Sequence, residues 1–172
     1  MKKKHFSASA EETQAIAQSL ALRIEGGGVI ALTGELGAGK TVFVKGLARG
    51  LGIIEIIQSP TFVLMKVYQV QHKTLDVFVH IDCYRLASIR ELLDIGVEDY
   101  LKNPKALVVI EWAEKVRDLL APYGALRVTL TPRSEQEREI VILAARQSLL
   151  DGENTGRRDR GRGYRVSGRS RY

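Results

Sequence analysis

The stretch that decides the fold is Gly34-Glu35-Leu36-Gly37-Ala38-Gly39-Lys40-Thr41, a complete G-x-x-x-x-G-K-T phosphate-binding loop. Val29-Ile30-Ala31-Leu32 precedes it, a short apolar run suited to a buried strand. Residues 41–51 follow with apolar and polar side chains at helical spacing, and Gly50 and Gly52 supply a stop. Strand, glycine loop and helix in that order turn successive backbone N–H groups and the positive end of a helix toward one anion. Gly34 to Thr41 and the following Val42 are therefore the expected phosphate cradle. Lys40 can reach the β- and γ-phosphates of a nucleotide, and the Thr41 hydroxyl can bind Mg²⁺.

Outward from the loop, the pattern is that of a three-layer α/β domain. Residues 10–24 read as an N-terminal helix with Ser9 as its cap and Glu11 and Glu12 in the first turn. Residues 64–71 and 75–81 read as two strands of a hairpin around His72-Lys73, after a turn at Ser59-Pro60. Short helical pieces are expected at 89–94, 97–101 and 113–120. Residues 106–110 are apolar throughout, as a central parallel strand should be. Residues 126–131 and 139–143 alternate and suggest a final antiparallel pair. The expected fold is thus that of a P-loop NTPase, with a small, mixed, mostly parallel sheet flanked by helices.

At 172 residues the chain is one domain, or one domain with a tail, and 45 % hydrophobic content suffices for a core. The boundary falls at residue 150. Residues 151–172 hold seven Arg against Asp151, Glu153 and Asp159, and almost no apolar side chain. That composition cannot bury enough surface to offset the entropy of folding, so this tail is expected to be disordered. It carries +4 of the net +6, which leaves residues 1–150 close to neutral. No apolar run approaches a membrane span, and the Lys-rich N-terminus is followed by polar residues instead of the apolar core of a secretion signal. With Cys83 the only cysteine, no internal disulfide exists, which fits a reducing cytoplasm.

A nucleotide hydrolase needs more than the loop: further acid near the metal, a means of placing the attacking group, and a segment that senses the γ-phosphate. Val108-Val109-Ile110-Glu111-Trp112 is an apolar strand ending in a carboxylate, the shape of a Walker B element with Glu in place of the usual Asp. Glu111 can meet Mg²⁺ directly or through water, can orient the attacking water, or can be a plain strand end facing solvent. Trp112 is either a core residue or a surface beside the site. His80-Ile81-Asp82 places Asp82 at another strand end, in reach of the metal or serving as a turn residue. His80 shares the face of Asp82, as a site residue or a structural one. Cys83 should be a small core residue. Ser59-Pro60-Thr61-Phe62 suits a loop ordered by phosphate and Mg²⁺, or an ordinary turn.

Taken in order, Gly-Glu-Leu-Gly-Ala-Gly-Lys-Thr, Ser-Pro-Thr-Phe, His-Ile-Asp-x-Tyr-Arg-Leu, Glu-Leu-x-Asp-Ile-Gly and Val-Ile-Glu-Trp-Ala-Glu resemble the TsaE (YjeE) family over about residues 7–145. The resemblance implies a bacterial P-loop ATPase, slow alone, needed for threonylcarbamoyladenosine on tRNA and working with TsaD and TsaB. It implies ATP and Mg²⁺ as ligands. Lys40 would hold phosphate, and Thr41 and Glu111 would lie around the metal. Asp82 would assist at the metal or the attacking water. Ser59-Pro60-Thr61 would form a switch, and Trp112 would flank the site. Two features depart from the family pattern. Val42 stands where many members have a second Thr, which removes one side-chain hydrogen bond, roughly 1 kcal/mol. The Arg-rich tail is an addition, either a solubilising extension or a salt-sensitive arm for tRNA phosphates. Two other readings of the residues are a small-molecule P-loop kinase and a nucleotide-gated binding module with negligible turnover. A kinase usually carries an Arg-rich lid about a hundred residues past the loop, where this chain has only the isolated Arg117 and Arg127.

Overall fold

The computed structural model describes residues 2–144. The tail at 151–172 lies outside the described residues. Fourteen short elements build one seven-stranded sheet between two helical layers. In chain order these are β1 (Lys2–Ser7), α1 (Ala10–Ala21), β2 (Gly28–Thr33), α2 (Lys40–Gly50), β3 (Met65–Gln69), β4 (Val77–Asp82), α3 (Ile89–Asp94), α4 (Val97–Lys102), β5 (Ala106–Glu111), a 3₁₀ turn (Ala113–Val116), α5 (Arg117–Leu120), a second 3₁₀ turn (Ala121–Tyr123), β6 (Leu126–Pro132) and β7 (Arg138–Leu143).

The sheet order is β1-β7-β6-β2-β5-β4-β3. Parallel ladders join β2 to β5, β2 to β6 and β4 to β5, and they form the centre. Antiparallel ladders form the margins, β3 with β4 on one side and β6, β7 and β1 on the other. The β3/β4 and β6/β7 pairs are the hairpins expected from alternation. Strand β1 is the element the alternation did not reveal, because its Lys2-Lys3-Lys4 start has no apolar partner to alternate with. Each residue of β5 is buried, as its unbroken apolar run requires when both faces are covered.

One core lies between the sheet and α1 with α2, around Leu20, Phe43, Leu47, Leu107 and Phe78. The other lies between the sheet and α3, α4, the first 3₁₀ turn and α5, around Leu92, Val97, Val108, Ile110 and Val116. Cys83 packs in this second core, and burial pushes its thiol up to about 12, so it stays protonated and serves as a packing group.

Two local devices fix the first layer. Ser9 caps α1, its Oγ accepting from the Glu12 N–H at 3.1 Å while Glu12 Oε2 accepts from the Ala8 N–H at 2.7 Å. Helix α2 meets α1 through Gly46 and Gly50. A Cβ on Gly46 would lie 2.3 Å from the Gln14 carbonyl oxygen, and one on Gly50 would lie 2.7 Å from the Ala21 Cβ. Gly50 is therefore a packing residue of the helix, and Gly52, in the left-handed region at φ 76°, ends it.

Candidate nucleotide site

The central strands β2, β5 and β4 end side by side, and the site is built where they end, as in open α/β sheets generally. The loop after β2 turns tightly into α2. Gly34 passes so close to β6 that a Cβ would sit 2.4 Å from the Leu130 carbonyl oxygen. Gly39 caps α2 in the left-handed region at φ 98°, which frees the first helical N–H groups toward the cavity. That cavity, about 320 Å³, is lined by Leu36, Gly37, Gly39, Lys40, Thr41 and Val42 of the loop and helix. Opposite stand Ser59, Thr61, Asp82, Glu111 and Trp112, joined by Tyr84. The structure thus gathers residues from four separate sequence segments. Ala38 lies beneath the cavity instead, with its side chain in the core and its N–H donated to the Glu35 carbonyl at 3.1 Å.

Lys40 is held back on its own loop. Its Nζ donates to the Gly34 and Glu35 carbonyls at 2.7 and 2.8 Å and sits 3.8 Å from the centroid of the Trp112 ring. Gly34 and Glu35 therefore touch the lysine and not the cavity. Desolvation lowers the Lys40 pKa, against the opposing pull of Glu111, Glu114 and Asp82. Trp112 holds its place through a backbone at φ 58°, costly for so bulky a residue, and its ring packs on Tyr84 at 5.1 Å.

Glu111 is buried at the end of β5 and fully engaged. The Thr41 hydroxyl donates to Oε1 and Oε2 at 2.9 and 3.0 Å. His80 Nε2 meets Oε1 at 2.8 Å. A carboxylate can only accept, so Nε2 carries the proton. Asp82 pairs with Glu111 in the β4/β5 register and lines the same cavity, with its own hydrogen-bond partners. The Ser59 hydroxyl donates to its Oδ2, Thr61 does so at 2.6 Å, and the Tyr84 N–H donates to Oδ1 at 2.9 Å. Burial raises the Asp82 pKa, yet these hydrogen bonds and the His80 charge outweigh it, so the group titrates below its ordinary value.

The donor set fits a hard divalent cation. Thr41, Asp82 and Glu111 offer only oxygen, and a hydroxyl that gives its proton to Glu111 keeps its lone pairs as acceptors. Among the described residues no three His, Cys, Asp or Glu side chains converge as a cage. Such a cation would be shared with a ligand's phosphates, the usual situation for Mg²⁺.

Three of these contacts were not read from the sequence: His80 on Glu111, Tyr84 on Trp112, and Lys40 under Trp112. The first had a signal. His80 and Asp82 lie on the strand face that Glu111 shares, and once β4 is placed beside β5 a histidine there reaches the neighbouring carboxylate.

Comparison with known proteins finds relatives that match most of the chain. The model of a family described as "Threonylcarbamoyl adenosine biosynthesis protein TsaE" matches residues 7–140. A Treponema pallidum protein named tRNA threonylcarbamoyladenosine biosynthesis protein TsaE is 42 % identical, over 79 % of this chain and 96 % of the relative. A Bacillus subtilis protein of the same name is 39 % identical, over 78 % and 80 %. The crystal structure of Bacillus subtilis YdiB superposes with a TM-score of 0.70 at 32 % identity, over 87 % of this chain and 89 % of that one.

Proposed function

The chain belongs to the TsaE family, and from that premise we propose that it is a Mg²⁺-dependent ATPase serving threonylcarbamoyladenosine formation at position 37 of tRNA. It would act with TsaD and TsaB in the cytoplasm. The observation that carries the ATPase part is the link from Thr41, first turn of the phosphate helix, to the buried Glu111 at the end of β5. It supports reading the loop as a phosphate cradle, beside a hard-cation donor set and a strand-end carboxylate.

In this reading the triphosphate lies over the N–H groups of Gly37 to Val42. Lys40 leaves the Gly34 and Glu35 carbonyls for the β- and γ-phosphates, trading two neutral acceptors for charged ones. When bound, Mg²⁺ neutralises charge on the β/γ oxygens. Glu111, oriented by His80, holds the Thr41 hydroxyl and accepts from the attacking water. Asp82 keeps Ser59 and Thr61 as a switch able to order against the γ-phosphate. Trp112 walls the site and holds the lysine amine until nucleotide arrives.

The test is ATP hydrolysis by the chain alone, then with TsaD, TsaB and tRNA, scoring modified adenosine in parallel. Multi-turnover modification only with both this chain and ATP is the expected result. ATP binding with no effect on modification would remove the tRNA-modification reading.

A further inference from the structure

One margin of the sheet is bare on one face. The second helical layer covers β2, β5, β4 and β3, and its apolar cluster takes no side chain from β6, β7 or β1 among the described residues. The register arranges what that margin shows. Lys2, Leu143, Arg127 and Ala31 lie in one row. Lys4, Val141, Thr129 and Thr33 form the next, and Phe6, Glu139 and Thr131 the third. The alternate residues of β6 and β7, such as Val128, Leu130, Ile140 and Ile142, point into the other core, so these rows face outward. Lys2, Lys4, Arg127, Thr129 and Thr131 are exposed, as is Phe6 at 67 %.

Within these rows cations outnumber acids, and Glu114, Arg117 and Asp118 line the cavity of about 510 Å³ that Arg127 and Thr129 border. The single carboxylate in the rows, Glu139, is already held by Lys4 at 3.0 Å and by Arg133. Lys2 and Arg127 have no ion-pair partner among the described residues. Strand β7 ends at Leu143, paired with both Lys2 and Arg127, so the chain leaves the sheet at its most basic row. It then runs on to 151–172, with seven Arg against three acids. The rows and that segment carry excess charge of the same sign, which a polyanion complements. The acidic Glu135 and Glu137, in the turn between β6 and β7, close off the opposite end.

We propose that the bare margin formed by β1, β7 and β6 takes the sugar-phosphate backbone of RNA. Lys2 and Arg127 meet phosphates, the hydroxyls of Thr129 and Thr131 are placed to bond phosphate or 2′-hydroxyl oxygens, and the exposed Phe6 ring offers a stacking surface. Thr33, bonded to Thr129 at 3.0 Å, directly precedes Gly34, so RNA on this face would lie against the phosphate loop. This goes beyond the ATPase reading and does not depend on it, since none of these residues lines the nucleotide cavity.

The test is fluorescence anisotropy of a labelled tRNA transcript with the full chain, across about 50–200 mM salt. Charge reversal in the double variant Lys2→Glu/Arg127→Glu should weaken binding about tenfold or more and lower the log–log salt slope by about two. Adding a cation with Thr131→Lys should tighten binding severalfold. Both variants should bind ATP as the parent does, which shows that they fold. Lys40→Ala should weaken ATP binding about tenfold to a hundredfold and keep RNA, separating this surface from the nucleotide site. Parental affinity in the double variant overturns the proposal and leaves the tail as the only contact. Failure of the parent chain to bind tRNA at the lowest salt overturns it too. So does tighter capture by phosphatidylserine vesicles than by tRNA, which would make the face a membrane contact.

Discussion

The Thr41 hydroxyl donates to both oxygens of the Glu111 carboxylate, joining the first turn of α2 to the end of β5 across 70 positions of sequence. The link closes the floor of the cavity and gives Glu111 two neighbours, with His80 on the far side. Glu111→Gln keeps the volume and one acceptor but removes the charge. Affinity for a non-hydrolysable ATP analogue should stay within about threefold, while turnover falls about 10²–10³-fold, the usual scale for one acid–base or electrostatic group. Calorimetry and steady-state hydrolysis on the same preparation separate the two. Equal losses of binding and turnover would make Glu111 a structural strut of the loop and not a group for the attacking water.

In the proposed reading Lys40 brings a full charge to the phosphates, while in the structure its amine meets the Gly34 and Glu35 carbonyls and the Trp112 ring. A hydrogen bond to a charged group is worth about 1.5–3 kcal/mol, so Lys40→Ala should raise the Kd for ATP roughly tenfold to a hundredfold and abolish turnover. Unchanged turnover would remove the assignment of this loop to phosphate binding.

Much of this site was legible because each part sits at the end of a strand, where sequence period and chemistry coincide. Gly34 to Thr41 announces a strand–loop–helix turn in eight residues, and the run ending in Glu111 declares a buried parallel strand with a carboxylate at its tip. Asp82 needed only the next strand end. What stayed hidden depends on distance through space. The hold of His80 on Glu111 follows from the β4/β5 pairing, and the grip of Trp112 on Lys40 follows from a left-handed backbone that no side-chain pattern announces. Strand β1 was hidden for another reason. Its Lys2 and Lys4 face solvent on the bare margin and Lys3 is exposed on the other face, and a strand with so little to bury has almost no alternation to read.

Glu139 ties the margin together, accepting from Arg133 in β6's extension and from Lys4 in β1. Those hydrogen bonds hold its pKa below the ordinary 4.5. A carboxylate more acidic in the folded than in the unfolded state stabilises fully above the unfolded value, and that stabilisation is lost as pH falls through the folded one. Urea midpoints measured from about pH 7 down to about pH 3 should therefore drop less for Glu139→Gln than for the parent chain. The difference should shrink in high salt, because the Lys4 and Arg133 side chains are about half exposed. Identical acid profiles at low salt would contradict the role given to this ion pair.

Residues 151–172 add net positive charge, and the described residues that line the cavity all lie between 36 and 112. Deleting residues 151–172 should leave the ATPase rate of the isolated chain unchanged. A large loss would mean that the basic segment touches the phosphate loop.

Gly46 separates two opposed effects by their size. Replacing it with Ala gains helix propensity of about 0.8–1 kcal/mol. The new Cβ, however, would lie 2.3 Å from the Gln14 carbonyl oxygen and 2.7 Å from the Ala17 Cβ. Both are fixed parts of α1, one of them backbone, so the helices must separate, and overpacking of this kind costs about 1–3 kcal/mol. The middle of these ranges leaves Gly46→Ala destabilised by about 1 kcal/mol in urea unfolding, with an unchanged denaturant slope. Gly26→Ala is the control, since a Cβ there meets nothing within 4 Å and its φ is not in the left-handed region. Its midpoint should move within about 0.5 kcal/mol of the parent. If Gly46→Ala proved as stable as the parent chain, the close approach of α1 and α2 would not be what keeps glycine at that position.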